Sequence, residues 1–182
     1  MLQVPVTPSD HSLGAADALV TLVEYGDYEC PHCALAHPVT RLLVRHFGAD
    51  LRFVFRHFPL SEVHPMATPA AEAAEFAGDH GRFWQMHDGI YENQERLSLA
   101  MLLALADHLG LSSDDLREAL REQRHREKVQ ADFLGGVRSG VNGTPCFFIN
   151  GLRHAGGYDF TELAAAIQTA GASAGAAAAA PP

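Results

Sequence analysis

Three cysteines in 182 residues are too few for a disulfide scaffold in a chain of this length. Two of them, Cys30 and Cys33, are parted only by Pro31 and His32, so their role is read as chemical rather than structural. Basic residues are also scarce. The 13 Lys and Arg against 22 Asp and Glu leave a formal charge of -9, which disfavours nucleic acid and anionic membrane surfaces as partners. No apolar run approaches the roughly 20 residues that span a bilayer, because Asp27, Arg41, Arg52 and Arg56 interrupt each candidate, and no membrane span is expected. The stretch Met1 to Val20 lacks a basic segment followed by an apolar one. A cytoplasmic location is therefore the expectation for the sequence as written, and a periplasmic or exported one if a signal has been removed.

What is present suffices for one domain with an insertion, since 47% of residues are hydrophobic. Leu19 to Tyr25 is a Val, Leu and Thr run ended by Gly26 and Asp27, which predicts a buried strand. Cys30-Pro31 then opens a segment with Leu35, Val39, Leu42 and Leu43 at helical spacing, and Gly48 stands where that helix would stop. Leu51, Phe53 and Phe55 alternate with Arg52, Val54 and Arg56 in a second strand that Pro59 ends.

From Ser61 to about Ser139 the pattern is helical. Met66 to Ala77 is alanine-rich, Trp84, Met86 and Tyr91 dominate the next piece, Ser98 caps Leu99 to Leu109, and Ser112 with Asp115 resembles a capping box. The apolar stripes among these are read as core, Arg121 to Lys128 as a solvated face, and His57, His64 and His87 as packing or surface residues. Strand character returns at Cys146 to Ile149, where Asn150-Gly151 signals a hairpin into Arg153 and His154. A last helix is expected from Asp159 and Glu162, and no ordered structure from Gly171 to Pro182. Two strand-bearing ends around a helical middle indicate an α/β unit with inserted helices.

Cys30 precedes the helix, where unpaired backbone N–H groups and the positive end of the macrodipole favour thiolate over thiol. Pro31 suits the first helical turn because its fixed φ fits there and no N–H is needed. Cys33 follows one turn on, close enough for a reversible disulfide. A protonated His32 between them is expected to lower the Cys30 pKa further. The competing reading of such a pair, half of a zinc site, finds no further ligands at metal spacing, and no metal or cofactor is expected. Gly143-Thr144-Pro145 precedes the later strand, either as a simple strand boundary or as a cis Thr144-Pro145 turn that docks an extended peptide beside the cysteines.

The order strand, Cys30-Pro31-His32-Cys33, helix, strand, helical insertion, Gly143-Thr144-Pro145, hairpin, helix resembles the DsbA-like branch of the thioredoxin superfamily over Val20 to Ala170. The resemblance implies a thioredoxin-like α/β fold with a helical insertion between the second strand and the cis-proline hairpin. Residues 1–60 and 140–170 would form the thioredoxin-like part, 61–139 the inserted helices and 171–182 an alanine-rich tail. It also implies thiol-disulfide exchange with cysteine-containing proteins or peptides and a redox partner that recycles the dithiol. Cys30 would be the nucleophile and Cys33 the resolving thiol, with Thr144 and Pro145 binding substrate. Glu24 lies at the end of the first strand where such proteins keep a buried acid that accepts the proton of the second cysteine; the alternative is an outward-facing side chain.

Cys146 departs from the family pattern, being either an inert packed thiol or a third redox thiol near Cys33. Oxidation of substrates is the expected direction; disulfide reduction in a reducing compartment is the alternative, and a metal or thiol-binding module using Cys33, Cys146 and histidines a non-enzymatic one. Kappa-type glutathione transferases share the helical insertion but usually carry serine in place of the first cysteine, which Cys30 argues against.

Overall fold

The strand before the dithiol, β2 (Val20–Gly26), runs parallel to β3 (Leu51–His57), and α1 (Pro31–Phe47) makes the crossover between them. These come from a computed structural model that describes residues 1–179. β4 (Cys146–Ile149) lies antiparallel on the other side of β2 and turns back into β5 (Leu152–Arg153). Asn150 and Gly151 both have positive φ, 47° and 81°, as a tight primed hairpin turn requires. A short strand that the sequence pattern did not signal, β1 (His11–Leu13), completes the order β1-β3-β2-β4-β5. Between β3 and β4 stand α2 (Ala67–Asp79), α3 (Phe83–Glu92), α4 (Leu99–His108), α5 (Ser113–Glu122) and α6 (Arg126–Arg138). The expected helical insertion is present.

Strand alternation divides the core in two. On one face Leu22, Phe53, Phe55 and Phe147 pack with Cys33, Leu43, Met86 and Leu102. On the other, Val23, Tyr25, Val54, Cys146 and Phe148 pack with Phe58 and the partly buried Phe133 of α6. Gly136 lets α6 approach this closely, because a Cβ there would stand 2.6 Å from the Phe58 ring.

Several expectations change. In α1 the buried face is Cys33, Ala36, His37, Thr40 and Leu43, whereas Leu35 and Leu42 are exposed: the apolar spacing located the helix but not its inner side. Arg56, one of the alternating residues of β3, is buried and held by Asp10, the Val4 and Pro5 carbonyls and the Tyr25 hydroxyl, so it ties the N-terminal arm to the sheet. In the Arg121 to Lys128 run, Gln123 adopts a left-handed conformation between α5 and α6, and Lys128 reaches the buried Asp132 at 2.7 Å. The final helix α7 (Phe160–Ala179) continues through most of the segment expected to lack structure, since alanine is the strongest helix former; Ala180 to Pro182 lie outside the described residues.

Candidate active site

Cys30 is the N-cap residue of α1 and Pro31 its first helical residue. The Cys30 carbonyl accepts the Cys33 and Ala34 N–H groups at 3.0 and 3.2 Å, and the Gln94 side-chain amide at 2.9 Å. The turn is thereby fixed from both α1 and the inserted helical segment. Hydrogen bonding from the Cys33 thiol is the largest cause that brings the Cys30 pKa down to about 5, against burial, with help from the Thr144 hydroxyl and the backbone N–H groups of Cys33 and His32. The Thr144 hydroxyl is buried and has no hydrogen-bond partner while Cys30 is a thiol, which leaves its proton free to turn toward the thiolate. In the thiol form Cys30 Sγ donates to the Thr144 carbonyl at 3.3 Å.

The opposite holds for Cys33. Burial, then the neighbouring Cys30 and Glu24, push its pKa well above the ordinary value, and its sulfur accepts the Asp27 N–H at 3.4 Å. His32 meets the sulfur and the surface at different atoms. Its side chain is exposed and pairs with the Tyr158 hydroxyl at 2.8 Å, while its backbone N–H is among the groups that lower the Cys30 pKa.

Glu24 is 2% exposed and shares a sheet face with Leu22 and the dithiol, beside Phe55 and Phe147 on the neighbouring strands. Burial, then the negative Cys30, raise its carboxyl to about 8. The peptide bond between Thr144 and Pro145 is cis. Beside it opens a cleft of about 340 Å³ lined by Pro145, Cys146, Arg153, His154 and Tyr158. Dithiol, buried acid and cis-proline turn thus meet at the N-terminal end of one helix.

The thioredoxin family model matches residues 6–169. The chain belongs to the thioredoxin family. Within that family its fold is of the DsbA-like kind: it superposes on alpha-DsbA1 from Wolbachia pipientis with a TM-score of 0.82 at 22% identity, covering 95% of this chain and 96% of the other. It also superposes on BdbD from Bacillus subtilis with a TM-score of 0.80 at 23% identity, covering 88% and 92%. A thioredoxin-like oxidoreductase from Silicibacter pomeroyi matches at 25% identity with a TM-score of 0.77, covering 90% and 93%. In sequence the chain is 48% identical over 170 residues to a protein of Salinispora arenicola named Na(+)/H(+) antiporter NhaA 1, covering 93% of this chain and 26% of that protein. The chain thus spans about a quarter of the length of the curated relatives it matches. No helix among its described residues is long and apolar enough to cross a membrane.

Against the thioredoxin-family frame, Cys146 stands apart. It follows the cis-proline turn directly, but strand alternation puts its side chain in the cluster with Tyr25 and Phe148, across the sheet from Cys33. Burial raises its pKa, with Arg153 opposing. The residue packs in that second cluster and also borders the cleft beside Pro145.

Two residues that the sequence did not single out also border the dithiol. Asp27, between β2 and Cys30, is fully buried and accepts the Glu29 and Leu60 N–H groups at 2.8 Å each. His64, read from sequence as packing or surface, pairs with the same carboxylate at 2.8 Å; burial opposes its protonation, but Asp27, followed by Cys30, raises its pKa overall. The signal available was an acid directly after a strand; its histidine partner is 37 residues away.

Proposed function

We propose that this chain is a thiol-disulfide oxidoreductase that accepts electrons from the thiols of protein substrates through Cys30 and Cys33. The observation that carries the proposal is the split between neighbouring sulfurs, with Cys30 lowered to about 5 and Cys33 raised. In the oxidised chain a substrate thiolate attacks Cys30 Sγ, a mixed disulfide forms, and Cys33 leaves with the electron pair of the broken bond. A second substrate thiolate attacks the substrate sulfur of the mixed disulfide. Cys30 then departs as a stable thiolate, the substrate gains its disulfide, and the chain is left reduced by two electrons. A redox partner must remove them for another cycle.

Glu24 supplies the proton as Cys33 leaves and takes it back when Cys33 attacks in the return direction. A carboxyl near 8 serves both, since it is close to neutral pH. Thr144 and Pro145 would hold an extended substrate segment across the neighbouring cleft. Thiolate stability also sets the direction, because a dithiol whose reduced form is stabilised is a strong oxidant. The reduction potential tests this: a value above about -200 mV is expected, whereas one near the roughly -270 mV of reducing thioredoxins would favour the reductase alternative.

A further inference from the structure

Where α1 meets α3, away from the dithiol, lies a second group of donors. His37 and His87 are buried, Asp88 is partly exposed, and one donor atom from each lies within 4.8 Å of the other two. All three line a largely apolar cavity of about 250 Å³, together with Phe53 and Trp84. We propose that His37, His87 and Asp88 form a binding site for one divalent transition-metal ion, with Zn2+ the best-fitting class, that clamps the dithiol-bearing helix to the helical insertion.

The side chains are oriented for this. His37 Nε2 faces Asp88 Oδ1 at 3.4 Å, and the second oxygen, Asp88 Oδ2, is taken by Arg41. That divides the carboxylate into one oxygen for the site and one held from outside, the usual outer support of a ligating acid. His87 Nδ1 is paired with the Tyr28 hydroxyl at 2.9 Å, which leaves its Nε2 as the coordinating nitrogen. Both imidazoles are buried, which disfavours the protonated ring and favours the form in which a ring nitrogen has a lone pair to offer. Two nitrogens and one oxygen suit a borderline divalent ion, and the cavity leaves its fourth position open to water or a small ligand. Arg41 sits on the outer oxygen of Asp88 alone and is 42% exposed, so an entering ion has to turn its guanidinium outward toward solvent.

The other candidate, His57, Glu75 and Asp132, lacks that freedom. There the Lys128 ammonium already stands 2.7 Å from Asp132 and 3.9 Å from Glu75, in the place a cation would take.

The test is titration of the full-length oxidised chain, in which the Cys30–Cys33 disulfide removes both thiols as ligands, with Zn2+ by calorimetry and with Co2+ by visible absorption. Binding of one ion per chain is expected, with a cobalt spectrum free of thiolate charge transfer and a rise in melting temperature on Zn2+ addition. Asp88→Asn, at a partly exposed position that should not disturb folding, and His37→Gln should each weaken binding at least roughly tenfold. Cys146→Ser should leave it unchanged. No binding, binding that survives Asp88→Asn and His37→Gln, or binding lost with Cys146→Ser would each overturn the site.

Discussion

Cys30 and Cys146 flank the same active-site turn and are each 5% exposed, yet their thiols are driven in opposite directions. Burial acts against the thiolate in both. At the start of α1 it is outweighed by the Cys33 thiol, the Thr144 hydroxyl and two helical N–H groups directed at the sulfur. At the start of β4 the backbone groups are used by the sheet ladder, and Arg153 alone offsets burial in part. Reactivity here is decided by what donates to the sulfur, not by how much of it solvent can reach.

The contrast is broken most severely by serine at each site. Cys30→Ser should abolish exchange with a dithiol peptide, a loss of at least roughly 1000-fold for removal of a nucleophile, while Cys146→Ser should leave the rate unchanged. Equal losses would place Cys146 in the chemistry.

Glu24 comes next, because it acts on the second sulfur of the pair. Glu24→Gln should slow Cys33-dependent resolution of a mixed disulfide by roughly 100-fold without slowing Cys30 alkylation. It should also change how stability follows pH in the reduced chain. Between 4.5 and about 8 Glu24 keeps in the fold a proton that the unfolded chain has lost, so its contribution to stability falls as pH rises. Cys30, lowered from 9.0 to about 5, contributes the reverse over 5 to 9. Across pH 5 to 8 the two slopes largely cancel, and removing Glu24 leaves the Cys30 slope. Urea unfolding of reduced Glu24→Gln should therefore show stability that climbs with pH over this interval, and an unaltered profile would remove Glu24 from the site.

A smaller effect is expected at the donor that Cys30 has and Cys146 lacks. Thr144→Val removes the hydroxyl and should raise the Cys30 pKa by roughly one to two units, the worth of one hydrogen bond to a charged group. Alkylation of Cys146 should not respond.

Much of this was legible in the chain. The helix start at Pro31, the stop at Gly48, the β3 alternation and the Asn150-Gly151 turn each follow from local chemistry, as does Ser98, whose hydroxyl accepts the Met101 N–H at 3.3 Å. The cysteine pair and the cis-proline turn carry fixed residue signals. What stayed hidden depends on pairings distant in sequence. β1 is only three residues long and is held by its antiparallel partner β3, some 40 residues on. His64 has meaning only beside Asp27, Gln94 only beneath the Cys30 carbonyl, and His37 only opposite α3. The inner side of α1 was concealed for a related reason: Cys33, His37 and Thr40 look polar or reactive in sequence, but the sheet and insertion bury them, while Leu35 and Leu42 face solvent.

The central claim, that donors at the helix start make Cys30 a thiolate at neutral pH, is tested most directly by its alkylation rate as a function of pH in the reduced chain. A profile with its midpoint near 5 is expected. A midpoint near the ordinary thiol value of about 8.5 would contradict the account.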